Sequence, residues 1–230
     1  MSQKLPTCQE VEAAGGFMRV SLGWLRLRWT LRNPVATAIF VLDSGTDPNS
    51  TQTPFYLDGG EMHPVAVSPA TDPPVSALKL TILPLEDHAA AWDLGHDQHD
   101  SEWDGLRRVR CCGQDVPGPS PVLEVIGTGP GGVVTVGDLV GAAHPWLMSL
   151  EDEIRTARGA ARCAPLEKKF ELFVYPNQPD KLDVRDWKTA GKGWKEWQWQ
   201  MVATKAAKKI EKARAAAAAA AEGGEGDVEH

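Results

Sequence analysis

Hydrophobic and polar positions alternate strictly over residues 25–32, Leu-Arg-Leu-Arg-Trp-Thr-Leu-Arg, which predicts a strand with Leu25, Leu27, Trp29 and Leu31 on its dry face. The other face, with Arg26, Arg28, Thr30 and Arg32, is expected to be wet. Asn33-Pro34 is a turn signal, and the almost wholly apolar run at 35–42 predicts a second strand buried on both sides, so the two form a hairpin. Alternation returns at 78–82 and 122–126, and strands are expected there, at 133–136 beyond a glycine-rich turn, and at 169–175. Residues 197–201, Trp-Gln-Trp-Gln-Met, alternate as well and predict a last strand.

Helix signals are fewer. Thr135-x-x-Asp138 has capping-box spacing with Asp in place of Glu, predicting a helix from Asp138 that carries Leu139, Val140 and Ala143 and is ended or kinked at Pro145. Ser149-x-x-Asp152 repeats the spacing and predicts a second short helix to about residue 161. From residue 204 the chain is rich in Ala and Lys, with alanine unbroken over 215–221, so a helix without an apolar stripe is expected to project from the body and stop at Gly223-Gly224. Residues 1–16 lack periodicity and read as a flexible leader, residues 43–77 as a long loop, and residues 86–120 as an exposed insertion. The expectation is an α+β fold: a mainly antiparallel β-sheet core with two short helices in a single domain over 17–203, then a basic helical tail and disordered end over 204–230.

A chain of 230 residues is long enough to bury a core without staples, and its four cysteines are too sparse for a disulfide framework. No apolar segment resembles a secretory signal or approaches the ~18 residues of a membrane span, so a cytoplasmic or nuclear location and no membrane contact are expected. Net charge is −7, which argues against a wholly nucleic-acid-binding body.

The segment Pro69-Ala-Thr-Asp-Pro-Pro-Val, the strand at Leu78, Val134-Thr-Val-Gly-Asp-Leu-Val, Arg185-Asp-Trp187, Gly193 and Trp197-Gln-Trp-Gln-Met together resemble an uncharacterised fungal domain-of-unknown-function family. Order and rough spacing agree over about 69–203. The resemblance implies an α+β architecture and a fungal source and carries no catalytic residues.

Chemistry-bearing motifs are short. Ile39-Phe-Val-Leu-Asp43-Ser44-Gly45-Thr46 resembles the active loop of aspartic proteases, in which two carboxylates share a proton and activate water. A single copy implies a homodimeric, retropepsin-like enzyme with Asp43, Ser44 and Gly45 as its catalytic loop. The alternative is a set of good turn residues closing a strand. His96 and His99 are candidate metal ligands in one turn, without the Cys-x-x-Cys or His-Glu-x-x-His spacing that holds zinc. Cys111 and Cys112 are adjacent, and neighbouring side chains on a strand diverge, so at most one joins them. No cofactor is expected. Gly127-Thr-Gly-Pro-Gly-Gly132 lacks a Gly-Lys-Ser/Thr ending and reads as a turn between strands. Lys205, Lys208, Lys209 and Lys212 give the tail a basic face suited to an acidic or phosphate-bearing partner. The nine tryptophans are enough to pack a core or, if exposed together, to form a binding patch. The preferred expectation is a non-catalytic protein-interaction domain with an unknown protein partner; the alternative is the aspartic protease.

Overall fold

The computed structural model describes residues 5–160, 163–187 and 194–222. In chain order the strands are β1 (Arg19–Val20), β2 (Leu27–Thr30), β3 (Ile39–Leu42), β4 (Gln52–Pro54), β5 (Thr71–Asp72), β6 (Ala77–Ile82), β7 (Ser101–Asp104), β8 (Arg107–Cys111), β9 (Gln114–Asp115), β10 (Leu123–Ile126), β11 (Leu172–Tyr175) and β12 (Lys181–Asp186). The helices are α1 (Cys8–Ala13), α2 (Leu22–Leu25), α3 (Leu83–His96), α4 (Val136–Ser149), α5 (Glu151–Gly159) and α6 (Trp194–Glu222). The fold is α+β, and its main sheet is mixed. Seven strands run in the order β10-β6-β12-β11-β2-β3-β4, antiparallel throughout except for the parallel pair β12 and β6. "Mainly antiparallel" therefore describes most of the ladders but misses the crossover between β6 and β12.

The hairpin of β2 and β3 forms as the alternation predicts, with Leu27 opposite Val41 and Trp29 opposite Ile39. Its ends are trimmed. Ser21 caps α2, so Leu25 is buried from a helix, and Val35–Thr37 coil into a 3-10 turn before β3 begins. β6, β10 and β11 also lie where periodicity places strands.

Helices cover both faces of the sheet. On one, the indole N–H of Trp29 donates to His144 Nδ1 of α4 at 3.0 Å, and Arg158 of α5 pairs with Asp186 of β12 at 3.0 Å. On the other, Trp199 of α6 packs on Phe173 and on Arg28. The face expected to be wet is thus dry at its centre: Arg28 is only 7% exposed. Burial pulls its guanidinium down to about 10, which still leaves it charged at neutral pH.

That cover comes from the segment expected to be the last strand. Residues 197–201 are helical, because Trp199, Val202, Ala203 and Ala206 recur at i, i+3, i+4 and i+7 and form a buried stripe, while Trp197 and Met201 face solvent. The tail does not begin at 204 and does not merely project; α6 starts at Trp194 and its first half is docked. Residues 223–230, expected to be disordered, and Gly193 of the resemblance lie outside the described residues.

Other expectations change similarly. Part of the leader is ordered: Thr7 and Glu10 form a capping box, α1 buries Cys8, and Ser76 donates to the Pro6 carbonyl. Residues 133–136 do not form a strand, since Thr135 is already the N-cap of α4. α4 continues through Pro145 to Ser149, and α5 follows without a side-chain cap from Ser149. The insertion is divided: α3 packs along β6 and β12 and buries Trp92, while β7, β8 and β9 form a separate three-stranded sheet. Among the described residues, no helix is long and apolar enough to cross a membrane.

Candidate functional site

A groove of about 920 Å³ runs between α6 and the corner made by β1, α2 and β5. Its floor is apolar, with Met18, Leu22, Leu25, Pro69 and Pro74. Ser21 caps α2 through Trp24 N–H and so presents Leu22 to the opening, and Ser21 N–H pairs with the Ala70 carbonyl, which holds this corner against β5. The opposite wall is α6, whose Lys205, Lys208, Lys209 and Lys212 all line the groove. Helical spacing of three and four residues puts them on one face. All four lysines singled out in the sequence therefore come together at one surface, joined by Arg19 from β1.

The lysines are not equivalent. Lys209 donates to the Val20 carbonyl at 2.9 Å and pairs with Asp72 at 2.8 Å, so it fastens α6 across the groove to β1 and β5. Lys205 donates to Asn177 Oδ1 at 2.9 Å, and burial, then Arg185 nearby, pull its pKa down. Lys208 and Lys212 are exposed and have no hydrogen-bond or ion-pair partner among the described residues. Asp72 is the only acid among the lining residues, against five cations, on a chain with net charge −7. Beside the groove, Phe17 is 85% exposed and Val67 72% exposed, each next in sequence to a lining residue. Sequence reasoning missed the floor because α2 and the cluster of prolines carry no periodic signal.

The Asp43 loop closes β3. Asp43 is exposed and its backbone N–H donates to the Thr51 carbonyl; Ser44 N–H donates to the Ser50 hydroxyl, and the Ser44 hydroxyl pairs with Thr46 Oγ1 at 3.0 Å. A Cβ on Gly45 would stand 3.2 Å from Arg26 Cγ and 3.6 Å from Ala206 Cβ, so the chain's own α6 covers the glycine face through which a second copy of the loop would approach.

The glycine-rich segment leads into a helix, contrary to the expected strand. The α4 N-terminus is filled from within: the Asp138 carboxylate accepts from the backbone N–H and hydroxyl of both Thr128 and Thr135. An outside anion finds these donors taken.

At the end of α3 the structure gathers His96 and His99 with both cysteines. The four ligand atoms lie within 4.8 Å of one another. The expectation that at most one cysteine joins fails because Cys112 has left the strand: β8 ends at Cys111, and Cys112 and Gly113 form the two-residue turn to β9 with φ of 52° and 73°. The left-handed turn swings the second thiol to the side of the first, with their sulfurs 3.8 Å apart. The hydrogen bond shared with Cys111 holds the proton on Cys112 and raises the pKa of its thiol.

The chain matches no protein-family model, no curated protein and no solved structure.

Proposed function

We propose that the protein is a non-catalytic protein-interaction module whose groove under α6 takes a short acidic and apolar segment of a partner protein. One observation carries this reading: an apolar floor faces a wall of lysines of which two, Lys208 and Lys212, are unpaired among the described residues. Apolar side chains of the segment fill the floor and supply affinity, while its carboxylates meet the lysine rim and supply orientation and on-rate. A partner whose charge came from phosphates alone would use the rim and leave Leu22 and Pro69 exposed.

The test is fluorescence anisotropy with a labelled peptide that alternates glutamate and leucine, against a matched peptide with glutamine for glutamate. The acidic peptide binds more tightly and loses affinity with added salt. Lys208→Glu with Lys212→Glu weakens it about tenfold, since two surface charge reversals are worth ~1–2 kcal/mol. Equal binding of both peptides, or of wild type and variant, overturns the reading. So does pepstatin-sensitive peptide cleavage that disappears in Asp43→Asn.

A further inference from the structure

We propose that His96, His99, Cys111 and Cys112 bind one thiophilic divalent cation, zinc by the chemistry of the donor set, and that this cation fastens the sheet of β7, β8 and β9 to the end of α3. Two thiolates and two imidazoles make a closed tetrahedral set of the structural kind. With Zn–S near 2.3 Å and Zn–N near 2.0–2.1 Å, the edges of such a tetrahedron are ~3.3–3.8 Å. The two sulfurs are 3.8 Å apart, His99 Nδ1 is 3.1 Å from Cys112 Sγ, and the widest separation within the group is at most 4.8 Å. A cation therefore enters with side-chain shifts of ~1 Å, taking the place of the proton that His99 and Cys112 share.

The surroundings orient these ligands. His96 Nδ1 lies 2.7 Å from the Trp92 carbonyl one turn earlier in α3, which fixes the proton on Nδ1 and leaves Nε2 as the ligand atom. The Trp92 ring stacks on His96 with centroids 4.1 Å apart and holds its plane. The Cys111 thiol is aimed by the Asp100 carbonyl at 3.5 Å. A two-residue turn with both φ positive favours Asn-Gly, whereas here a cysteine takes the first central position.

The side chains of the sheet fasten it to α3 only at its margin, where Arg108 of β8 donates to the His96 carbonyl at 3.4 Å and lies 5.9 Å from the centre of the Trp92 ring. Among the described side chains of residues 97–120, Cys111 alone is buried; Trp103 and Leu106 face solvent, the latter 100% exposed. Three short strands without a dry face do not hold together by hydrophobic burial, and a bound metal is a common substitute. On binding, both thiols ionise and two protons leave to solvent.

The experiment uses the full chain, stripped with chelator under reducing conditions and titrated with Co²⁺ and then Zn²⁺ alone. One equivalent of Co²⁺ produces thiolate charge-transfer and tetrahedral d–d absorption, Zn²⁺ displaces it, and metal protects residues 97–120 from limited proteolysis. Cys112→Ser and His99→Asn sit at exposed positions; each weakens binding by more than the ~10–100-fold typical of losing an outer-shell partner, with near-UV circular dichroism of the body unchanged. Cys163→Ser binds as wild type does. The proposal is overturned by absence of the cobalt spectrum, by binding that survives both ligand substitutions, by dependence on Cys163, or by isolation of the native protein with Cys111 and Cys112 joined as a disulfide and two hydrogens lighter.

Discussion

The guanidinium of Arg28 lies 4.0 Å from the centre of the Trp199 ring, joining the middle of the sheet to α6. Trp199 also packs on Phe173 and Trp187, so Trp199→Ala is expected to cost about 3–5 kcal/mol by urea denaturation. Arg28 is buried with no carboxylate partner among the described residues, and Arg28→Met is expected to be close to neutral. In the Arg28→Met background the cost of Trp199→Ala falls by about 1 kcal/mol, the part due to the cation over the ring. Strict additivity would show that the two residues are merely adjacent.

Asp138 ties the 127–135 loop to α4 through four accepted hydrogen bonds. Asp138→Ala is expected to destabilise by about 2–3 kcal/mol, more than the ~1 kcal/mol of losing an ordinary cap, because loop and helix lose their anchor together. Burial opposes ionisation of this carboxyl, but the bonds from Thr128 and Thr135 hold its pKa below the ordinary value. Its contribution is present above the unfolded value near 3.8 and is lost as pH falls through the lower folded value. Denaturation midpoints of wild type and Asp138→Ala should therefore converge in acid.

His144 acts in a higher pH window. Burial lowers its pKa, and it accepts the Trp29 N–H, which requires a neutral ring. A depressed histidine contributes stability above its unfolded value of 6.5 that declines as pH falls through the folded one. The urea midpoint is expected to drop once pH falls below the unfolded value of 6.5 and to go on falling until the lower folded value is passed. His144→Gln keeps an acceptor for Trp29 but does not titrate, so its drop should be smaller. An identical drop would assign the effect elsewhere, with His63, also lowered first by burial and then by Arg26, as the next candidate.

Thiol labelling separates the cysteines. Cys8 is buried beside Glu12, and burial first, then that carboxylate, push its thiol up to about 12. It should stay unmodified by an aromatic disulfide until the protein unfolds. In metal-free protein the exposed Cys112 and Cys163 react; with zinc bound, Cys163 alone does.

Where alternation or an apolar run marked a strand, or a cap was local, the architecture was legible in the sequence: β2, β6, β10, β11 and the Thr135 cap of α4 lie where pattern put them. It misled where burial came from elsewhere in the chain. Trp197, Trp199 and Met201 alternate, but the buried stripe continues as Val202, Ala203 and Ala206, and only a window reaching Ala206 shows the helical period. Misreading that helix as a strand is also what made Arg28 look solvated. β12 went unseen because Asp183 and Asp186 are buried within it, paired with Arg185 and Arg158, and such pairing is not visible in the order of residues. Of the candidate sites, the four lysines were readable as one face, while the Cys111–Cys112 pair was not, because its geometry rests on a positive φ at a residue other than glycine.

The order of strands in the main sheet has a consequence for synthesis. β12 and β11 stand between β6 and β2, so the first half of the chain emerges from the ribosome as two fragments of sheet with open inner edges and nothing to join them. The gap closes only after residue 186 has left the exit tunnel, and Arg28 gains its cover only when α6 follows. Until then those edges are free to pair with other extended chains, and the interval before β11, β12 and α6 emerge sets how long the nascent protein stays exposed to a chaperone.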